Sequence, residues 1–550
     1  MSTIPDINKA ADLARFIAEK THHNLFLTGK AGTGKTVFLR DFVAHTKKRV
    51  VVLAPTGIAA INANAMTIHS FCRFGLAPCP LGKVSDGNDF ALEDKDEDLV
   101  RNLDMIIIDE VSMVRADVMD HISEKIRLIR NSDEPFGGVQ LLLIGDLYQL
   151  PPVVTKVDKK ILKDYYGSNY FFFNSNAIKK VGFETVCLNK VYRQNNPEFV
   201  DILNRARVGN VSLDDCNKLN ARCVSDMPKD KKYITLVAQK NQAEEINEEN
   251  LGHVGGVGTT YKAEITDGFP VELYPTSKEL ILKKGAQVMF IKNDKEGKYC
   301  NGTLGEVVAL GLDCVDVKVG DKTFKVEPAS WDNIRYEYDK KENRIKTTSA
   351  GTFKQLPLKP AWAITIHKSQ GLSFENAIID IPRAFAAGQA YVALSRCRSL
   401  EGLVLMKELH PDTFFTDPLV SNFYEGVDSA DYIEALANAV GYEPFEWDET
   451  IKAEEEQQAR QIETLFDRRK IAYIVEEIIS DVDYRIYHQC LECAYELRDI
   501  LKEIREAIKP YGHYYADTPY RAMRLNKLLY KEVSEIVSEK HKEGSWTLCD

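Results

Sequence analysis

An apolar run followed by a glycine-rich loop constrains the fold of this chain more than any other stretch. Residues 25–27 read Leu-Phe-Leu, which suits a buried strand, and residues 29–36 read GKAGTGKT. A helical pattern of apolar residues follows at residues 37–43. Strand, loop and helix in this order are the context of the phosphate-binding loop GxxxxGK[ST], whose backbone N–H groups surround phosphate oxygens at a helix N-terminus. The sequence therefore predicts a site for a nucleoside triphosphate.

The phosphate-binding loop offers three kinds of contact. Its glycines allow backbone N–H groups to turn inward, the Lys35 ammonium reaches the β- and γ-phosphates, and the Thr36 hydroxyl ligates Mg²⁺. A glycine-rich turn without a ligand is the alternative, but the complete GKT sequence between a strand and a helix disfavours it. The residues expected to contact the nucleotide are Gly29, Ala31, Gly32, Thr33, Gly34, Lys35 and Thr36.

Two later strands end near side chains that suit triphosphate hydrolysis. The apolar run at residues 105–108 is followed by Asp109 and Glu110. A second run at residues 141–144 is followed shortly by Gln149. Ligands of parallel α/β sheets bind at the carboxyl ends of the strands, so these side chains should face the phosphate-binding loop. We predict that Asp109 holds Mg²⁺ through its water shell, that Glu110 activates water, and that Gln149 contacts the γ-phosphate.

Composition is typical of a globular protein in a reducing compartment. Of the 550 residues, 44% are hydrophobic and 28% are charged. No apolar run approaches the roughly 18 residues of a membrane span, and the N-terminus lacks the charged-then-apolar pattern of a secretion signal. The 11 cysteines are scattered. We therefore expect reduced thiols, no membrane partner, and a cytoplasmic location that is nucleoid-associated in a bacterium.

The acidic charge is concentrated towards the C-terminus. The chain has a net charge of −11, of which residues 431–550 contribute −10. The first 430 residues are therefore nearly neutral, and such a body can still line a groove with cations. Composition alone neither supports nor excludes a nucleic-acid partner.

The order of apolar patterns predicts two α/β domains. Alternating strands and helices over residues 1–184 indicate a parallel sheet, with a loop-like insertion at residues 72–100. A second α/β segment covers residues 185–410. It is interrupted at residues 253–360 by β-branched, glycine-punctuated segments that predict a small antiparallel barrel. Residues 411–550 are predicted to form an acidic helical C-terminal extension.

Eight stretches occur in a fixed order along roughly three quarters of the chain. They are GKAGTGKT (29–36), LAPTGIAA (53–60), TIHSF (67–71), IIIDEVSMV (106–114), LLIGDLYQLPPV (142–153), NKVYRQ (189–194), ITIHKSQGLSF (364–374) and YVALSRCRS (391–399). This set resembles the motifs of the Pif-type helicases, 5′-to-3′ DNA motors of helicase superfamily one that are close to the RecD type. Residues 123–140 are similar to the signature helix and loop of that family.

The resemblance implies a fold and a set of residue roles. The fold would be two RecA-like domains with helices on both faces of parallel sheets, an inserted Src-homology-like barrel and the helical extension. ATP and Mg²⁺ would be the cofactors, with Arg193 and Arg396 bridging from the second domain to the γ-phosphate sensed by Gln149. The positions that match the single-strand track of such helicases are Pro55, Thr56, His69, Phe71, His367 and Lys368.

The resemblance also implies a function. ATP would close the cleft between the two domains and move the chain 5′ to 3′ along single-stranded DNA, so that duplex, forked or structured DNA is unwound. Roles in DNA repair, recombination and telomere maintenance would follow. Residues 72–100 or the inserted barrel would supply the wedge. The alternative is an ATP-gated nucleic-acid clamp or a protein-recruiting scaffold. Such a protein need not retain the base Glu110, the sensor Gln149 and both arginines, so their presence argues against it.

The sequence departs from the family pattern at three places. Asn8 stands where a Gln usually reads the adenine edge, so strict preference for ATP does not follow. The turn before TIHSF is Asn64-Ala65 rather than glycine-rich, although Asn tolerates positive φ. Cys72 replaces a frequent second aromatic.

The C-terminal extension lies outside the eight motifs. Cys490-x-x-Cys493 with His488 nearby resembles half of a zinc site, but no second pair follows at finger spacing, and metal is disfavoured. Docking on the motor or on another protein is the favoured role. A monomer is expected, and forks, quadruplexes and RNA–DNA hybrids are the candidate DNA structures.

Overall fold

The computed structural model describes residues 9–73, 75, 77–78, 94–194, 196–223, 232–266, 268–294, 297–381, 386–427 and 429–442. The predictions for Asn8 and for most of the acidic extension, including His488, Cys490 and Cys493, lie outside the described residues. Within those ranges, no helix is both long and apolar enough to cross a bilayer.

Residues 25–188 form a six-stranded parallel sheet. Its strands are β1 (Leu25–Gly29), β2 (Val50–Ala54), β3 (Met66–Thr67), β4 (Met105–Ile108), β5 (Gln140–Ile144) and β6 (Glu184–Leu188). They lie in the order β3-β2-β4-β5-β1-β6, and every pairing is parallel. The strand before the phosphate-binding loop is therefore an interior strand, paired with β5 and β6, and all five of its residues are buried.

Helices cover both faces of this sheet. They are α1 (Lys9–Lys20), α2 (Lys35–His45), α3 (Gly57–Ala63), α4 (Ile68–Cys72), α5 (Asp94–Arg101), α6 (Ala116–Arg130), α7 (Lys156–Tyr166) and α8 (Asn176–Val181). Alternate strand residues point to opposite faces. Leu25 and Leu27 accordingly pack in one core with α1 and α2, whereas Phe26 packs in another core with α6. This arrangement confirms the predicted α/β class.

The prediction that residues 72–100 are loop-like is wrong at their C-terminal end. Residues 94–101 form helix α5, and Leu99 and Val100 are buried in the core shared with α6. Two apolar residues at the end of an acidic run are enough to anchor one helical face. The acidic run also has cationic partners, since Asp98 forms an ion pair with Lys340 at 2.6 Å.

A second parallel sheet is assembled from distant parts of the chain. After α9 (Pro197–Arg207) and α10 (Leu213–Asn220), the chain forms β7 (Ile234–Val237) and α11 (Lys240–His253). About 110 residues later come β18 (Ala363–Thr365), β19 (Ala377–Asp380), α12 (Gln389–Leu394) and β20 (Leu403–Leu405). The strand order is β18-β7-β19-β20, and all pairings are parallel.

The intervening segment is antiparallel, as its alternating pattern predicts. Its strands are β8 (Thr259–Lys262), β9 (Glu264–Ile265), β10 (Glu279–Leu282), β11 (Gln287–Phe290), β12 (Leu304–Leu310), β13 (Val315–Val319), β14 (Lys322–Val326), β15 (Ala329–Asp339), β16 (Arg344–Gln355) and β17 (Leu358–Pro360). They form described sheets of five, three and two strands. In β13, Val315 and Val317 are buried in a small apolar core and Asp316 is not.

The long hairpin of β15 and β16 reaches the first parallel sheet. The Tyr336 hydroxyl accepts from the backbone N–H of Val52 at 3.1 Å and donates to its carbonyl at 3.2 Å. On that side of β2, strand β3 pairs only with Leu53 and Ala54. Tyr336 therefore satisfies backbone groups that the short neighbouring strand does not reach.

The described start of the C-terminal extension is helical, as predicted. Helices α13 (Pro418–Tyr424) and α14 (Ala430–Ala439) follow the second sheet but pack against the first. Phe423 lies 5.8 Å from Phe26, and Tyr442 lies 5.3 Å from Phe16, between ring centroids. The chain thus returns to its N-terminal half after completing the second sheet.

Candidate nucleotide and nucleic-acid site

The phosphate-binding loop lies between β1 and α2, as predicted. Gly34 precedes α2 with a φ of 91°, a left-handed conformation that favours glycine. The Lys35 ammonium donates to the carbonyls of Gly29 at 2.6 Å and Lys30 at 3.1 Å. Burial lowers the pKa of Lys35, although Asp146 and Glu110 oppose the shift. Lys35 is thus folded over the loop, within reach of the position that a phosphate would occupy.

The two predicted carboxylates follow β4 directly. The backbone N–H of Glu110 donates to Asp109 Oδ1 at 3.0 Å, and Glu110 has a left-handed φ of 52°. Burial and the neighbouring Glu110 raise the pKa of Asp109 to about 7. Burial also raises the pKa of Glu110, while Lys35 and Arg396 lower it. Two adjacent half-buried carboxylates with raised pKa values form an electrostatically strained pair that a cation would relieve.

The donor set fits Mg²⁺ better than a metal held by protein ligands alone. No cluster of three or more His, Cys, Asp or Glu side chains suited to a metal occurs in the described part of the chain. Thr36 in the first turn of α2 and Asp109 after β4 are two oxygen donors. Mg²⁺ usually takes one or two protein oxygens together with phosphates and water.

Gln149 is buried at the centre of a cross-sheet network. Its amide nitrogen donates to Asp146 Oδ2 at 3.2 Å, and its amide oxygen accepts from Gln370 Nε2 at 3.3 Å. Gln370 also donates to Glu110 Oε2 at 2.9 Å. The predicted sensor and the predicted base are thus linked through a residue of the second α/β segment. Sequence reasoning did not single out Gln370, although it lies within the ITIHKSQGLSF motif.

Arg193 and Arg396 come together although about 200 residues separate them. Arg193 donates to the carbonyl of Ser395 at 3.3 Å. Arg396 is 1% exposed and donates to the Val392 carbonyl at 2.9 Å. Burial and the neighbouring Arg193 lower the pKa of Arg396 to about 9. In the described part of the chain their hydrogen bonds go to carbonyl and hydroxyl oxygens rather than to carboxylates. Arg193 lies beside Gly32 of the loop, and Arg396 lies close enough to Glu110 to lower its pKa.

Three tyrosines that the sequence analysis missed also meet the loop or its strand. The Tyr391 hydroxyl accepts from the backbone N–H of Ala31 at 2.8 Å. Tyr424 and Thr28 hydroxyl oxygens lie 2.5 Å apart. The exposed ring of Tyr192 lies beside Gly34, and the Tyr192 N–H donates to the Gly32 carbonyl at 2.9 Å. Tyr192 and Tyr391 lie within recognised motifs, whereas no sequence signal singles out Tyr424.

Gly32 permits this close approach. A Cβ atom at this position would lie 2.5 Å from Cβ of Arg193, and the φ of Gly32 is 80°. Any side chain would therefore push the arginine-bearing segment away from the loop.

The predicted nucleic-acid contacts fall into two groups. The register Ala54↔Thr67 places Pro55 and Thr56 beside the segment that holds His69 and Phe71. His367 and Lys368 follow β18 at the carboxyl end of the second sheet. Lys368 is exposed and the other five side chains are partly buried.

Burial shifts the pKa values of titratable side chains in and near these two groups. Burial and Arg115 lower the pKa of His69, and burial lowers that of His367. Burial and Lys368 lower the pKa of Lys359, on strand β17 of the antiparallel segment, to about 8. The two histidines therefore favour the neutral form at neutral pH.

Two departures from the family pattern have structural outcomes. Asn64 ends α3 with a left-handed φ of 53°, so the turn survives without glycine, as predicted. Cys72 is 1% exposed, and burial raises the pKa of its thiol to about 12. Cys72 therefore packs in the core and offers no surface for a base.

The geometry agrees with comparisons to known proteins. The sequence matches the family described as PIF1-like helicase over residues 8–216 and the 2B domain of DNA helicase Pif1 over residues 273–310. The ATP-dependent DNA helicase PIF1 of Xenopus laevis is 33% identical over 416 residues, which are 73% of this chain and 61% of that protein. This chain thus spans about three fifths of the length of that relative.

Two solved structures are similar along nearly their whole length. Bacteroides sp Pif1 in complex with ADP-AlF4 is 38% identical, with a TM-score of 0.71 over 78% of this chain and 99% of that one. Bacteroides Pif1 bound to ssDNA is 38% identical, with a TM-score of 0.57 over 77% of this chain and 97% of that one.

Proposed function

Because this chain belongs to the PIF1-like helicase family, we propose that it is an ATP-dependent DNA helicase that moves 5′ to 3′ on single-stranded DNA. It would unwind duplex, forked or structured DNA in repair and recombination. The observation that supports the proposal is the approach of two arginines to the predicted nucleotide site: Arg193 lies beside Gly32 of the phosphate-binding loop, and Arg396 lies close enough to Glu110 to lower the pKa of that carboxyl.

Nucleotide binding would use groups that are already oriented. The N-terminus of α2 and the Lys35 ammonium would hold the phosphates. Thr36 and Asp109 would hold Mg²⁺, which neutralises charge that develops on the phosphate oxygens. The exposed Tyr192 ring beside Gly34 is available to a base, and a stacked ring accepts adenine without reading its edge.

Hydrolysis would depend on four side chains around the γ-phosphate. Glu110 would take a proton from the attacking water, and its raised pKa brings it closer to the range in which a carboxylate is an effective base. Gln149 would orient that water or the γ-phosphate. Arg193 and Arg396 would stabilise the charge of the transition state, a contribution on the order of 10³–10⁵ in rate where arginine fingers are used.

Movement along DNA would follow from the same contacts. ATP would draw the two arginines and the sheet behind them towards Lys35, and loss of the γ-phosphate would release them. The two groups of predicted track residues lie at the carboxyl ends of different parallel sheets. A change in the separation of those edges would shift one group along the strand relative to the other. A monomer and a cytoplasmic location remain predictions.

ATP hydrolysis with and without single-stranded DNA tests the proposal. We expect DNA to stimulate hydrolysis, and we expect Lys35→Ala to abolish it while leaving DNA binding largely intact. DNA-stimulated hydrolysis without separation of any duplex would favour the ATP-gated clamp. A wild-type protein that does not hydrolyse ATP in either condition would contradict the proposal.

A further inference from the structure

A buried ion pair joins the end of α9 to the residue group that follows β5. Arg207 Nη2 lies 3.1 Å from Asp146 Oδ1, and Arg207 Nε lies 3.3 Å and 3.4 Å from the two carboxylate oxygens. Arg207 is 2% exposed and Asp146 is 0% exposed. A buried pair of this kind gains little net stability, because desolvation offsets the attraction. Stability alone is therefore a weak reason for its presence.

Two aromatic rings pack near this guanidinium. The Arg207 guanidinium carbon lies 4.5 Å from the ring centroid of Tyr148 and 5.4 Å from that of Tyr424. The two rings stack on each other with centroids 4.9 Å apart and planes at 12°. Arginine suits such a site because its flat group can stack and donate in a fixed direction, whereas a lysine ammonium is a point charge.

The ion pair begins a continuous chain of hydrogen bonds that ends at the predicted base. Asp146 accepts from Gln149 at 3.2 Å, and Gln149 accepts from Gln370 at 3.3 Å. Gln370 then donates to Glu110 Oε2 at 2.9 Å. Because every member is buried or half-buried, water offers little substitute for a lost partner, and a change at one end should disturb the other.

We infer that Arg207 is a positioning residue for ATP hydrolysis, acting through Asp146, Gln149 and Gln370 on the Glu110 carboxylate. The inference rests on the proposed function. Arg207 ends a helix that precedes the second sheet, whereas Glu110 and Gln149 follow strands of the first. The orientation of the Glu110 carboxylate therefore depends on how α9 packs against the residues that follow β5. Hydrolysis would then be efficient only while the cleft between the two α/β segments is closed.

A neighbouring, more exposed ion pair on the same helix provides a control. Arg205 binds Asp215 through two hydrogen bonds of 2.8 Å and 2.7 Å. This pair joins α9 to α10 and includes no residue of the chain that leads to Glu110. Arg205→Gln and Arg207→Gln thus each remove a guanidinium from α9, and only the second should misplace the base.

The test compares DNA-stimulated ATP turnover with ADP binding in the full chain. We expect Arg207→Gln to lower kcat on the order of 10- to 100-fold, the cost of a small misplacement of reacting groups. ADP affinity should stay within about threefold, because ADP lacks the γ-phosphate on which Glu110 and Gln149 are proposed to act. Arg205→Gln should stay within about twofold of wild type in both measurements, since it touches no group of that chain.

A second variant distinguishes a positioning role from simple misfolding. Arg207→Lys keeps a positive charge opposite Asp146, and we expect it to bind ADP normally while turning over ATP several-fold more slowly than wild type. The inference is overturned if both Arg207 variants keep the wild-type kcat. It is also overturned if kcat, ADP affinity and the thermal transition fall together in both variants, since that pattern marks a purely structural pair. A wild-type protein without ATPase activity would refute the proposed function instead.

Discussion

The hydroxyl of Tyr391 accepts a hydrogen bond from the backbone N–H of Ala31 at 2.8 Å, across 360 positions of sequence. Tyr391 belongs to α12 of the second α/β segment, and Ala31 belongs to the phosphate-binding loop. Burial raises the pKa of Tyr391 to about 12, so its hydroxyl is neutral at physiological pH. The loop is therefore held from the opposite side of the cleft by an uncharged, buried contact.

Removing the Tyr391 hydroxyl should lower the stability of the folded protein without changing its packing. Tyr391→Phe keeps the ring but leaves the Ala31 N–H without its partner, which should lower the free energy of unfolding by about 1–3 kcal/mol. Denaturant unfolding of the nucleotide-free protein measures this difference. An unchanged unfolding midpoint at equal slope would show that the contact does not hold the loop.

Nucleotide binding with Mg²⁺ should depend on pH through Asp109. Its pKa is raised to about 7, so part of the population carries a proton that Mg²⁺ must displace. As pH increases towards 7, the affinity for Mg²⁺–ADP should increase by up to about tenfold per pH unit, and above pH 7 it should level off. Calorimetric titrations between pH 6 and 8 measure this. In Asp109→Asn the dependence should weaken, since only the neighbouring Glu110 carboxyl is left to titrate at this site, and a pH-independent wild type would contradict the assignment.

The same raised pKa affects stability in the absence of ligand. The folded state of Asp109 binds its proton more tightly than the unfolded chain, whose carboxyl has a pKa of about 4. The stabilising contribution is complete below that value and is lost as pH rises towards 7. Asp109→Asn removes this titration. The variant should therefore gain stability relative to wild type as pH rises from 4 to 7, which thermal melts in Mg²⁺-free buffer can follow.

Removing the Glu110 carboxylate should slow ATP hydrolysis without preventing ADP binding. Glu110→Gln keeps an oxygen and a nitrogen near Gln370 but cannot take a proton from water. We expect hydrolysis to fall about 10²- to 10⁴-fold while ADP binding persists, because general base catalysis contributes an effect of this size. Stopped-flow phosphate release with equilibrium ADP titration measures both. A variant that keeps at least half of the wild-type rate would remove Glu110 from its predicted role.

The hairpin contact to the first sheet should also be measurable. Tyr336→Phe leaves the N–H and carbonyl of Val52 without their partner, and the expected loss is about 1–3 kcal/mol. Tyr338→Phe is the matched control, since its hydroxyl binds the exposed Asn343 at 2.8 Å. Equal destabilisation by both variants would contradict a specific role for Tyr336.

Local patterns were sufficient to predict the elements that carry the chemistry. The apolar run before residues 29–36, the strand before Asp109 and the strand before Gln149 are buried strands of one sheet. Each is a fully buried apolar run that is followed by a turn with polar residues. Such a pattern can be recognised in a single sequence. Membership of the family was predictable for the same reason, because eight such signals occur in order.

Contacts between distant residues could not be predicted in this way. Neither Arg207 nor Asp146 is unusual in its own sequence window, and their pairing depends on how α9 meets the end of β5. Helix α5 was missed because its acidic residues suggested a solvated loop, whereas Leu99 and Val100 bury one end of it. In both cases tertiary contacts decide what the local sequence leaves open.

The direction of strand separation tests the central claim most directly. Two duplexes of identical sequence, one with a 5′ and one with a 3′ single-stranded overhang, are incubated with the protein, ATP and Mg²⁺, and Lys35→Ala serves as the inactive control. We predict that wild type separates the 5′-overhang duplex and leaves the 3′-overhang duplex paired. Separation of neither duplex despite DNA-stimulated hydrolysis, or separation only from the 3′ overhang, would contradict a 5′-to-3′ helicase.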